Sequence, residues 1–168
     1  MICFVESSPE EFSLDDCQVP CLKSLVPWSQ KQFGLVHPQL MSWLASVRQK
    51  LESATATRPA SPADWARPAE VACTCQYCAR LKAFLADPAN ETARIPARED
   101  MRQHLIGMIG RHHCDVKHAL ERKGSPYSLV LTKTTGSFDR ATKRFEENRR
   151  LLKVLDEISE GVALENGN

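Results

Sequence analysis

The pair Cys75-Gln-Tyr-Cys78 constrains this chain more than any other feature. Two cysteines separated by two residues can hold one metal ion, because the intervening residues let the backbone curl around it. The pair runs straight into a helical pattern, Cys78-Ala-Arg-Leu-Lys-Ala-Phe-Leu-Ala86. A helix N-terminus favours thiolate over thiol. Zinc takes four thiolate or imidazole donors in a tetrahedron, so further ligands must come from elsewhere. His104 shares a helical face with Leu105 and Met108 and so points inward. His118 falls on the first strand of a predicted hairpin. If the chain reverses after Gly110, that strand runs antiparallel to the helix, and His104 and His118 converge on the Cys75/Cys78 loop. His112 lies about 12 Å from His104 along a continuous helix and cannot share the ion. The expected ligands are therefore Cys75, Cys78, His104 and His118. Cys73, on the same loop as the pair, or Cys114 could replace one of them. The competing reading makes the cysteines small buried residues and His104 a satisfied core histidine. A redox dithiol is disfavoured, because no alternating strand–helix pattern surrounds the motif.

The chain has 168 residues, with seven cysteines and a net charge of +1. An odd cysteine number argues against a complete disulfide framework, and clustered cysteines in a reducing compartment more often hold metal than pair. The start, Met1-Ile2-Cys3-Phe4-Val5-Glu6, lacks the basic and long apolar stretches of a secretory signal. No apolar run is long enough to span a bilayer. The expected location is the cytoplasm or nucleus.

The expected fold is α+β and mostly α, with helices packed with one β-hairpin around a structural zinc site. Residues 1–36, with Pro9, Pro20 and Pro27, read as an irregular segment, and the abrupt start as that of a fragment of a longer polypeptide. Residues 37–160 read as a single zinc-stabilised domain. His37-Pro38 opens a helix whose Leu40, Leu44, Val47 and Leu51 form one face. The stretch 55–70, with Pro59, Pro62 and Pro68, reads as a loop anchored by Trp65. A short helix from Cys78 stops at Asp87-Pro88, and the next opens at Pro96 and ends at Gly110. The hairpin spans 115–133. Ser137 caps a final helix from Phe138 to about Ser159, and residues 161–168 form a frayed tail.

Catalytic motifs fit poorly. His113-Cys114-Asp115 matches half of a two-histidine, one-carboxylate iron site, but no β-barrel scaffold accompanies it. No cysteine sits in a nucleophile setting with an orienting partner, and no glycine-rich phosphate loop occurs. The expectation is a non-catalytic accessory or interaction module that binds a protein or a polyanion. Between Arg102 and Lys153, twelve Lys and Arg stand against five Asp and Glu. A nucleic-acid or polyanion binder is thus the alternative, with Arg122, Lys123 and Tyr127 at the hairpin tip as contacts. The opposing reading is a solvated face, with Lys143 and Arg144 beside Glu146 and Glu147.

Three stretches carry a resemblance. They are Cys75-Gln-Tyr-Cys78 followed by Leu81, Phe84-Leu85 and Asp87-Pro88; Arg102-Gln-His104-Leu105; and His118, Glu121-Arg122 and Gly124-Ser125-Pro126-Tyr127-Ser-Leu-Val-Leu-Thr-Lys-Thr134. Over about residues 38–155 the chain resembles the Cys/His-rich C-terminal region of fungal, plant and bacterial proteins with an N-terminal 2-oxoglutarate/iron(II) oxygenase domain of prolyl-hydroxylase type. The resemblance implies one site made of Cys75, Cys78, His104 and His118. The oxygenase domain itself is lacking, so a fragment of such an oxygenase is a further alternative, and enzymatic activity does not carry over.

Overall fold

The structure, a computed structural model, describes residues 12–165. Its order is a π-helical turn at Leu14–Gln18, α1 (Val19–Phe33), α2 (Pro38–Thr55), α3 (Gln76–Ala86), β1 (Thr92–Pro96), α4 (Glu99–Arg111), β2 (Val116–Glu121), β3 (Ser128–Lys133) and α5 (Gly136–Glu165). The fold is mostly helical with one small antiparallel sheet, as expected. The chain divides into two compact units, one formed by residues up to 59 and from 141 onward, the other by residues 60–140. The sequence pattern alone points to a single domain over residues 37–160.

In the first unit, Val19, Leu22 and Val26 of α1 pack with Trp43, Leu44, Val47 and Leu51 of α2 and with Leu155 and Ile158 of α5. The expectation of irregular structure fails for residues 14–33; residues 1–11 of that segment lie outside the described residues. Two prolines misled it. Pro20 sits in the first turn, where a missing N–H costs nothing. Pro27 does remove a helical hydrogen bond, but burial of Leu22 and Val26 outweighs that loss. Gly34 adopts φ 71° to end α1, with its N–H bonded to Gln30 O at 2.8 Å. Buried Gln18 receives a hydrogen bond from Trp43 Nε1 at 3.2 Å and donates to Phe12 O at 2.8 Å. Arg48 ties α2 to α5 through Asp156 at 2.6 Å and Ser159 Oγ at 3.1 Å. The tail expected from residue 161 is helical to Glu165, and the rest lies outside the described residues.

The second unit carries a three-stranded antiparallel sheet in the order β1-β3-β2. The hairpin forms as expected, with Val116 opposite Lys133 and Glu121 opposite Ser128. β1 was not foreseen. Pro96, read as a helix start, ends this strand instead, and α4 begins at Glu99. Ile95, Leu129 and Leu131 pack on Leu81, Leu85, Leu105, Met108 and Ile109 from α3 and α4. α4 runs past Gly110; the left-handed residue is His113, at φ 47°, and Cys114 N–H bonds Ile109 O at 3.0 Å to close the turn. Ser137 does not act as the expected cap. Buried Asp115 performs that task, accepting the Ser137 N–H at 2.7 Å and the Ser137 hydroxyl. No helix among the described residues is long and apolar enough to cross a membrane.

Candidate metal centre

The loop before α3 delivers two cysteines and the first turn of α3 a third. Cys75 is the N-cap of α3, extended at φ −63° and ψ 159°, and its sulfur accepts the Cys78 N–H at 3.4 Å. Capping by sulfur orients one thiol at the positive end of the helix and leaves Cys78 one turn further on, fully buried against Leu81 and Val71. Cys73 reaches the same point from the extended chain just upstream. α4 packs against α3 and turns His104 toward this turn, because Leu105 and Met108 on the adjoining face are buried in the core.

The result is a tripod of sulfurs under one imidazole nitrogen. His104 Nε2 lies 3.5 Å from Cys73 Sγ, 3.6 Å from Cys75 Sγ and 3.3 Å from Cys78 Sγ. All four donor atoms lie within 4.8 Å of one another. The three thiols are free of disulfides. A Cys3His cluster of this size is compatible with one bound metal ion.

The electrostatics of the cluster fit a cation. The Cys78 N–H pulls the Cys75 thiol from its ordinary 9.0 down to about 6. Burial, followed by the neighbouring Cys75 and Cys73, pushes Cys78 up to about 12. Cys75 and Cys78 therefore do not ionise together unaided, whereas a divalent ion at the cluster offsets their mutual repulsion.

Of the four ligands expected from sequence, the structure brings together Cys75, Cys78 and His104. His118 is not part of the cluster, and Cys73 occupies the fourth position. The reason is the unforeseen strand. β3 is central, so β1 and β2 form opposite edges of the sheet, and α3 packs on β1. His118 does share the core face, opposite Leu131, but it stays exposed at the β2 edge. Cys114, the other substitute weighed, is half-buried, with its thiol raised mainly by burial, and it too lies outside the cluster. The spacing Cys73-x-Cys75-x-x-Cys78 held the missing signal. Asp115, part of the iron-like triplet, spends its carboxylate on Ser137 and, at 3.6 Å, on Arg140. Arg122, Lys123 and Tyr127 are exposed in the hairpin loop, and Arg102 stacks over the Tyr127 ring at 5.7 Å. No protein-family model, curated protein or solved structure matches the chain.

Proposed function

We propose that residues 60–140 form a zinc-stabilised, non-catalytic module that presents a surface to a protein partner. The observation that carries this reading is the near-equal spacing of His104 Nε2 from three sulfurs. Bonds of about 2.3 Å to sulfur and about 2.0–2.1 Å to nitrogen, at tetrahedral angles, put an imidazole nitrogen about 3.6 Å from each thiolate. The values here run from 3.3 to 3.6 Å. Three thiolates and an imidazole also match the softness of zinc better than that of magnesium, calcium or manganese. Such a set supplies all four ligands from the protein. It leaves no open position for water or substrate, which is the pattern of a structural site rather than a hydrolytic one. Zinc would hold α3 to α4 in a unit whose sheet has only three strands.

Elemental analysis of purified protein tests the reading. About one zinc per chain, with cooperative loss of structure on strong chelation, is the expected result. Metal-free protein with an unchanged melting curve would rule it out.

A second reading, polyanion binding at the hairpin tip, draws support from Arg122 and Lys123. Both are exposed and have no ion-pair partner among the described residues. By contrast Lys143 and Arg149 of α5 face Glu147 and Glu146 at 3.8 Å. Those pairs favour a solvated face on α5 and confine any phosphate contact to the tip.

A further inference from the structure

The free edge of β2 and the hollow beside it point to a second feature of this unit. Hydrogen bonds fix which backbone groups face outward. Thr134 N–H bonds Asp115 O at 2.9 Å toward β2, whereas Lys133 N–H bonds Glu91 O at 2.9 Å toward β1. Antiparallel pairing alternates hydrogen-bonded and non-bonded pairs. In the observed register, Lys117, Ala119 and Glu121 therefore spend their backbone groups on β3. The N–H and C=O groups of His118 and Leu120 face away from the sheet, with no partner among the described residues.

The side chains of Val116, His118 and Leu120 share the face of Leu129 and Leu131. Leu120 is 44% exposed there. Under this edge lies a hollow of about 360 Å³ whose lining includes Ile106, Ile109, Val116, His118, His113 and Arg140. The floor is apolar and the rim carries two imidazoles and the Arg140 guanidinium, which faces Asp115 at 3.6 Å and keeps its exposed side open to a second carboxylate. Unpaired strand edge, apolar hollow below it and basic rim are the parts needed to add a strand: main-chain bonds give affinity, alternate side chains entering pockets give specificity, and charge sets the sequence chosen.

We propose that β2 accepts an extended peptide segment of a partner protein, with an apolar side chain in the hollow and an acidic residue beside His118 and Arg140. This names the partner chemistry for the interaction module proposed above, and so rests on that reading, but at a place separate from the cysteine cluster. A second copy of the chain is a poorer occupant. Pairing β2 with itself would bring Lys117 and the basic rim of one copy against those of the other, and an edge lysine opposes such pairing.

The test uses the full chain with its metal content measured in the same sample. A phage-displayed random peptide library is selected on the immobilised protein, and enriched peptides are measured by fluorescence anisotropy. Enriched sequences should alternate apolar and acidic residues, and their binding should perturb the His118 and Leu120 amides in NMR spectra. His118→Pro removes an outward N–H without touching the β2–β3 ladder, a position where a strand tolerates proline. It should weaken binding by at least about tenfold with an unchanged melting temperature. If it destabilises the fold, Arg140→Gln, which removes the charge without setting a carboxylate against Asp115, and Ile106→Ala provide the same reading through charge and hollow. No enriched peptide, enrichment of basic peptides, binding indifferent to all three substitutions, or dimerisation through β2 would overturn the proposal. Because zinc content is read independently, a protein that holds its metal and binds no peptide refutes this inference alone, whereas metal-free protein refutes the zinc reading.

Discussion

Cys73→Ser separates the ligand set seen in the structure from the one expected of the sequence. Structural zinc sites bind with about 10–16 kcal/mol of apparent free energy, so each of four ligands carries on the order of 3 kcal/mol. Serine keeps the size of cysteine but is a poor zinc ligand at neutral pH. The variant should therefore bind zinc about a hundredfold more weakly. Metal bound to the native state stabilises it by mass action, so at fixed free zinc above both dissociation constants most of that energy leaves the fold. A unit of this size shifts by roughly 4–8 °C per kcal/mol, which gives a fall in melting temperature of about 10–20 °C. His118→Ala is the matched control. Its side chain is exposed at the β2 edge and outside the cluster, so the change should stay within about 0.5 kcal/mol. Competition with a chromophoric chelator gives the affinities and calorimetry gives the melts. If Cys73→Ser keeps wild-type zinc affinity, or His118→Ala loses the metal, the assignment of the fourth ligand is wrong.

Three further outcomes follow from the same geometry. Thiolates and the imidazole bind metal only when deprotonated, and the Cys78 N–H already lowers the Cys75 thiol from its ordinary value, so stopped-flow acidification should release the metal with uptake of protons, and release on raising the pH instead would refute this. Asp115→Ala removes the acceptor of the Ser137 N–H and hydroxyl at the start of α5 and should cost about 1–2 kcal/mol in urea unfolding; a neutral effect would mean that Ser137 or water caps the helix. Arg122→Glu with Lys123→Glu should leave stability nearly unchanged, and any DNA or RNA binding of the parent should be weaker than about 10⁻⁶ M and steeply salt-dependent; tight binding that the double variant abolishes would favour the polyanion reading.

The cluster was legible wherever local spacing carries the information. Cys75 and Cys78 are two residues apart, and the inward aim of His104 follows from its place beside Leu105 and Met108. The hairpin was legible because Tyr127–Lys133 is rich in strand formers and a Gly-Ser-Pro turn precedes it. What failed depends on partners distant in sequence. Thr92–Pro96 alternates too briefly to announce a strand, and it exists because Ala93 and Ile95 find Leu131 and Leu129 across the sheet. A hairpin alone against α4 would bring His118 to the cysteines, whereas with β1 in the sheet β2 lies at the far edge. The α1 error has the opposite origin. The local breakers Pro20 and Pro27 mask the Val19, Leu22 and Val26 stripe that packing on α2 rewards.

Cys73, Cys75, Cys78 and His104 form the site proposed for one zinc ion. X-ray absorption at the zinc edge on the purified protein tests it most directly, because it counts sulfur and nitrogen neighbours around the metal itself. Three sulfurs at about 2.3 Å and one imidazole nitrogen at about 2.0 Å is the expected shell. Two sulfurs with two imidazoles would restore His118 or another histidine to the site, and a shell of light atoms alone would contradict a cysteine centre altogether.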